Sequence, residues 1–179
     1  MIKISKTVLV IIDVQGKLAT LIDKPTQTLL NLRILIQGAQ ILGVPILWTE
    51  HVPEKIGATI PEIAQLLSEQ KPILKDTFSC WANPAFQKRI RSLKPSTVVI
   101  AGIETHVCVY QTAADLLNEK FKVQIVADAV SSRQPENKQI ALTRLTQLGA
   151  EMTSVEMFLM ELLHSAKHKH FRDILKLMK

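Results

Sequence analysis

The feature that most constrains this chain is the alternation of short, β-branched apolar runs with longer segments whose apolar residues recur at helical spacing. Val8-Leu-Val-Ile-Ile12 is a continuous apolar run, and Asp13 ends it. A run of that length without polar alternation reads as a strand buried on both faces, as in a parallel sheet. Pro25 opens a helix whose apolar residues run from Leu29 to Leu42 and which Gly43 closes; proline suits a helix's first turn and glycine its end. Val44–Trp48 reads as a second strand, Pro61 to Leu67 as a helix, Pro72–Leu74 as a short third strand and Pro84 to Leu93 as a helix. Thr97–Ala101 is the fourth strand, followed by a helix from about Thr105 to Asn118. Val123–Ala127 is the fifth, Glu136 to Leu148 a helix, Glu151–Thr153 the sixth strand, and the remainder is helical. This order predicts one α/β domain: a three-layer α/β/α sandwich around a mostly parallel sheet.

Composition narrows the class. The 179 residues suit a single domain over 1–179, with no linker, repeat or low-complexity stretch. Hydrophobic residues at 47% exclude a disordered chain, and aromatics at 4% leave a core of Leu, Ile, Val and Ala, which fits α/β better than a β-sandwich. Cys80 and Cys108 form no CxxC pair and read as free thiols in a reducing, cytoplasmic setting. Val8–Ile12 is too short for a signal-peptide core or a membrane span. Of the net charge of +6, a balance of +4 lies from His164 onward. Phe171, Ile174, Leu175 and Met178 recur there at helical spacing, so the tail reads as an amphipathic helix with a solvated basic face. No nucleic-acid motif accompanies it, and neither GxGxxG nor GxxxxGK[ST] occurs. The expectation is therefore no nucleic-acid or membrane partner and no nucleotide cofactor.

In an open parallel sheet, ligands bind beyond the carboxyl ends of the strands. Asp13 and Gln15 follow the first strand, and Thr49, Glu50 and His51 follow the second. Lys75, Asp76, Phe78, Cys80 and Trp81 follow the third; Gly102-Ile-Glu-Thr-His-Val-Cys108 follows the fourth; Asp128 and Ser131 follow the fifth. With Thr105 as cap, Cys108 falls in a helix's first turn, where unpaired N–H groups favour a thiolate and can hold an oxyanion. Asp13 then suits a base and Lys75 a cation holding both anions, so that nucleophile, base and cation come from three strand ends. Each also has a plainer reading: a buried structural cysteine, a turn aspartate, a solvated lysine. Gln15 either bonds in the pocket or is a loop amide, and Glu50 either points into the site or anchors the loop after it. Trp48 and Trp81 either wall a small pocket with Phe78 or pack in the core.

The segments Val8-Leu-Val-Ile-Ile-Asp-Val-Gln15, Leu74-Lys-Asp-Thr-Phe-Ser79, Val99 to Ala113 and Ile125-Val-Ala-Asp-Ala-Val-Ser-Ser-Arg133 resemble the isochorismatase-like cysteine hydrolases, in order and over nearly the whole chain. Thr49-Glu followed by a loop reaching Gly57, and the short basic last helix, are most similar to the small isochorismatase-domain-containing proteins. The resemblance implies a six-stranded parallel sheet and a catalytic triad of Asp13, Lys75 and Cys108. It implies attack of the thiolate on a carbonyl carbon, a covalent intermediate, and Asp13 as proton shuttle. It also implies a cis peptide at Ile103-Glu104 that aims the Glu104 N–H, with that of Cys108, at the oxyanion. Homo-oligomers, dimers or larger, are expected on the same ground.

Departures from the family pattern shape the expectation. Metal-dependent nicotinamidases carry Asp-x-His and further histidines after the second strand, where this chain has Trp48-Thr-Glu-His51 and no other histidine before His106. A lone Glu50-His51 pair is a poor metal site, so no metal is expected. Cys108 itself argues against the vinyl-ether chemistry of true isochorismatases, which lack the nucleophilic cysteine. The reading is thus a cysteine-dependent hydrolase of a small amide-like carbonyl substrate. Its binding groups are expected to be Gln15, Glu50, Phe78 and Trp81. A binding or scaffold protein without useful turnover is the alternative.

Overall fold

A computed structural model describes residues 2–179. Six strands form one sheet: β1 (Thr7–Ile12), β2 (Ile46–His51), β3 (Ile73–Lys75), β4 (Thr97–Ile103), β5 (Lys122–Ser131) and β6 (Glu151–Thr153). Their order is β3-β2-β1-β4-β5-β6, and every pairing is parallel. β1 and β4 are buried along their whole length, as their unbroken apolar runs require.

The helices are α1 (Leu18–Leu21), α2 (Pro25–Leu42), α3 (Pro53–Ile56), α4 (Pro61–Ala64), α5 (Pro84–Leu93), α6 (Tyr110–Asn118), α7 (Pro135–Gln147), α8 (Val155–Leu163) and α9 (Phe171–Leu177). Proline stands in the first turn of α2, α3, α4, α5 and α7, where its missing N–H costs no helical hydrogen bond. Alternation along β1 sends Leu9 and Ile11 to a core shared with α2, α8 and Ile174 of α9. Val8, Val10 and Ile12 go to a second core with Phe86 and Ile90 of α5, Ala113 and Leu116 of α6 and Leu145 of α7. The apolar face of the basic last helix is therefore covered by its own domain.

Several boundaries differ from the sequence reading. β2 runs from Ile46 to His51 rather than over Val44–Trp48. Pro45 has no N–H for the ladder, and pairing of Thr49, Glu50 and His51 with Ile73, Leu74 and Lys75 extends the strand forward. β3 starts at Ile73, after Pro72, for the same reason. β5 continues to Ser131, because a register shift between Ile100 and Gly102 lets pairing with β4 resume at Val130. Asp128 and Ser131 accordingly lie inside that strand. Asp128 Oδ1 accepts the Val155 N–H, and the Ser131 hydroxyl donates to the Asp23 carbonyl.

The chain after β4 does not enter an α-helix at Thr105. Thr105–Val109 forms a π turn, and α6 begins at Tyr110. Thr105 caps nothing: its hydroxyl is buried without a partner, and Glu104 is the extended residue before the turn. π turns inserted at helix starts are frequent at functional sites.

Candidate active site

The first and fourth strands are neighbours at the centre of the sheet, with connections that leave in opposite directions, the arrangement that opens a crevice at the strand ends. Asp13 follows Ile12 in the left-handed conformation, φ +50°, which aspartate tolerates better than most residues. Close approach of β4 to β1 depends on Gly102, whose φ is +117°. A Cβ there would lie 2.1 Å from the Ile12 carbonyl oxygen. The Ile103–Glu104 peptide, one step on, is cis.

Lys75 reaches this crevice from the end of β3. Its Nζ lies 2.6 Å from Asp13 Oδ2 and 3.7 Å from Cys108 Sγ. It also donates to the carbonyls of Thr77 and Phe78, at 3.1 and 3.3 Å, so the loop after β3 wraps round the ammonium. The Thr49 hydroxyl, on β2, donates to Asp13 Oδ1 at 2.7 Å. Asp13, Lys75 and Cys108 are thus brought together from three strand ends, all buried, with Cys108 only 7% exposed.

The electrostatics differ from the sequence expectation of a thiolate at rest. Burial first, and then the Asp13 carboxylate, push the Cys108 thiol well above its ordinary range; Lys75 pulls the other way and is outweighed. Lys75 is driven the opposite way by its own burial, which disfavours its charge, but Asp13 and the two sulfurs outweigh that and its pKa is raised. The resting site is therefore a neutral thiol beside an Asp13–Lys75 ion pair. Cys80 is fully buried, and burial followed by Asp13 pushes its thiol up to about 11.

A pocket of about 160 Å³ opens onto the sulfur. Asp13, Ile103, Glu104, Cys108 and Phe78 line it, together with Leu18, His51, Ile56 and Val107. Phe78 is 53% exposed and stacks on His51 with ring centroids 5.5 Å apart. Leu18, Ile56 and Val107 carry no sequence signal that separates a pocket wall from ordinary core, whereas His51 stands among the strand-end groups where a ligand is expected. A larger cavity, about 420 Å³, lies among Lys3, Lys6, Lys94 and Lys122 at the amino-terminal ends of the strands, opposite the carboxyl ends that hold the thiol.

Three expected binding residues do not line the pocket. Gln15 is fully buried; its amide donates to the carbonyls of His51 and Gly57 and its oxygen accepts the His51 N–H. Glu50 accepts the Thr59 N–H at 2.7 Å, the loop-anchoring alternative. Both side chains staple the 52–59 loop over the site, which is how Ile56 becomes part of its wall. Trp81 packs edge-on against Phe121 under the Arg91 guanidinium, within the second core and outside the pocket lining. Trp48 is likewise a core residue. His106 shares a hydrogen bond with the Ser132 hydroxyl, and Glu104 holds the backbone N–H and guanidinium Nε of Arg133 at 2.9 and 3.1 Å. Among the described residues no three His, Cys, Asp or Glu side chains gather in a metal-binding arrangement, and no helix is long and apolar enough to cross a membrane.

A family model described as the isochorismatase domain matches residues 7–157. Isochorismatase domain-containing protein 2 of Danio rerio is 37% identical over 173 residues, which cover 96% of this chain and 86% of that protein. The solved structure named MAR1 ribonuclease from Caenorhabditis elegans superposes with a TM-score of 0.92 at 34% identity, covering 99% of this chain and 91% of that one. The YcaC gene product of Escherichia coli, described as an octameric hydrolase of unknown specificity, shares the fold with a TM-score of 0.89 at 23% identity, covering 98% and 93%.

Proposed function

The chain belongs to the isochorismatase family, a family of hydrolases, and on that premise we propose that it is a cysteine-dependent hydrolase of a small, amide-like carbonyl substrate. Cys108 is the nucleophile, Asp13 the base and Lys75 the cation between them. The observation that carries this reading is the single buried ammonium of Lys75 lying 2.6 Å from the Asp13 carboxylate and 3.7 Å from the Cys108 sulfur, behind the two groups that line the pocket.

Because the thiol rests protonated, activation belongs to the reaction itself. Asp13 takes the thiol proton as Sγ attacks the carbonyl carbon, so the sulfur never waits as a desolvated anion. A C–S bond forms, the carbonyl π pair moves to oxygen, and the backbone N–H groups of Glu104 and Cys108 hold the resulting oxyanion. Collapse breaks the bond to the leaving nitrogen, which receives the proton from Asp13. Water then attacks the thioester, Asp13 takes its proton, and collapse returns that proton to sulfur with release of the acid. Lys75 keeps its charge throughout and offsets whichever neighbour is anionic.

The pocket supports acyl chemistry over phosphodiester cleavage, the activity in the C. elegans neighbour's name. Its lining presents two carboxylates, one imidazole and no lysine or arginine, whereas phosphoryl transfer needs positive charge on the reacting oxygens. Two unbridged thiols fit a reducing, cytoplasmic setting. Exposed Leu30, Ile140 and Met157 supply apolar surface for a homo-oligomer, as in the octameric YcaC.

The test is a panel of small amides, esters and thioesters followed by product release and intact mass. Turnover that disappears in both Cys108→Ala and Asp13→Asn, with the fold retained, is the expected result. Persistent failure with no adduct on Cys108 would assign the chain to the binding or scaffold alternative.

A further inference from the structure

We infer that the group this site accepts is a small, uncharged, apolar acyl chain, an inference that rests on the hydrolase reading above and narrows its substrate. The pocket's volume of about 160 Å³ equals roughly five water volumes and lies below the ~300–1,000 Å³ of sites for drug-sized ligands. Its walls away from the thiol are Leu18 of α1, Ile56 of α3, Val107 of the π turn and the exposed Phe78 ring with the His51 ring stacked on it, so that hydrocarbon and ring faces make up most of the surface.

Charge sharpens the selection. Two carboxylates face the pocket, those of Asp13 and Glu104. Each already has a cation: Lys75 at 2.6 Å from Asp13 and Arg133 Nε at 3.1 Å from Glu104. Lys75 has no side-chain exposure, and its three protons are shared among the Asp13 carboxylate, the carbonyls of Thr77 and Phe78 and the Cys108 sulfur. No lysine or arginine lines the pocket to meet a substrate carboxylate, which would be desolvated beside two carboxylates. A cationic acyl group fares little better, because both acids are neutralised and the remaining wall is largely apolar. An unpaired charge is strongly disfavoured in such a site. Polar recognition is thereby limited to the reacting carbonyl, at the end of the pocket where Glu104 and Cys108 meet, and to the His51 imidazole.

Charge selection can be read without turnover. Cys108 is modified with n-butyl, sulfonatoethyl and trimethylammonioethyl methanethiosulfonates, reagents of similar bulk that are neutral, anionic and cationic. In each the thiolate attacks the sulfenyl sulfur, a disulfide forms, and methanesulfinate leaves. Rates come from intact mass, are divided by each reagent's rate with a small free thiol, and are corrected for Cys80 with the Cys108→Ala chain. The butyl reagent is expected to exceed both charged ones by at least about tenfold, and a neutral naphthylmethyl reagent is expected to be as slow as they are. A sulfonatoethyl or trimethylammonioethyl rate equal to the butyl rate overturns the inference. In parallel, preferential hydrolysis of carboxylate-bearing amides overturns the substrate class and leaves the hydrolase reading standing. Neutral selectivity in labelling with no hydrolysis of any amide, ester or thioester overturns the hydrolase reading and leaves the ligand class standing.

Discussion

Thr49 donates its hydroxyl proton to Asp13 Oδ1 at 2.7 Å, on the oxygen that Lys75 leaves free. Thr49 has one proton to give, and a carboxylate only accepts. Its contact with Cys80 Sγ at 3.8 Å must therefore run from thiol to hydroxyl, so a buried Cys80–Thr49–Asp13 chain fixes how the carboxylate is turned. Replacing Thr49 with Val keeps the shape and removes the donor. A hydrogen bond to a buried charge is worth about 1.5–3 kcal/mol, and a loss of that size should appear in denaturant unfolding, with lower kcat. Thr49→Ser should restore most of both; a Val variant indistinguishable from the parent would show that the contact orients nothing.

The buried Lys75–Asp13 pair should behave as a unit. Removing one partner strands the other charge, and Lys75→Met or Asp13→Asn alone is expected to cost about 3–5 kcal/mol where an uncompensated charge remains. The double variant should cost less than the sum of the singles. Chemical denaturation of the four chains measures the coupling, and strict additivity would contradict an intimate pair.

Stability should fall on the alkaline side. The thiols of Cys80 and Cys108 are both held above their ordinary value of 9.0 when folded, Cys80 to about 11. Above pH 9 the unfolded chain therefore releases thiol protons that the native chain retains, so ν_U is less than ν_N and unfolding becomes easier as pH rises. Lys75, raised from 10.5, adds stability that is complete below that value and is lost as pH climbs through its folded pKa. Unfolding midpoints between pH 8 and 11 should decline, and Cys80→Ala should flatten the decline. A flat profile for the parent chain would exclude the assignment of protonated thiols.

Asp13→Asn should separate acidity from catalysis. The Asp13 charge raises the Cys108 pKa, so its removal should give more thiolate and faster alkylation by iodoacetamide near neutral pH, while turnover collapses for want of a base. In the parent chain Cys108, at the pocket floor, should still react ahead of the fully buried Cys80. Slower labelling of the Asn variant would mean that the aspartate favours the thiolate, contrary to the electrostatics of the site.

Gly102→Ala should be far more damaging than Gly43→Ala. At Gly102 a Cβ meets the Ile12 carbonyl oxygen at 2.1 Å, whereas at Gly43 nothing lies within 4 Å. The second substitution carries only the left-handed backbone penalty, about 1–2 kcal/mol. The first must also push β4 from β1 and so move Cys108 from Asp13. Thermal unfolding and activity of the two variants, side by side, give the comparison.

Much of this architecture is legible along the chain because its causes are local. Val8–Ile12 announces a doubly buried strand by composition, and Pro25, Pro61 and Pro84 mark helix starts by their missing N–H. Boundaries set by partners are less visible: β5 reaches Ser131 only because β4 takes up pairing again beyond its register shift. Thr105 has the composition of a cap, yet the turn it enters is π and leaves its hydroxyl without a partner.

Residue order alone determined the strand succession and which chemical groups stand at each strand end, since periodicity and chain reversal act within a few residues of each other. What each group then does was decided by contacts between distant segments. Gln15 and Glu50 look like pocket polar groups in sequence, but tertiary closure of the 52–59 loop turns them into staples, while Ile56 and Val107, indistinguishable from core, become the walls. The protonation of Cys108 is likewise a tertiary property, because desolvation and the field of Asp13 exist only once three strand ends have closed around the sulfur.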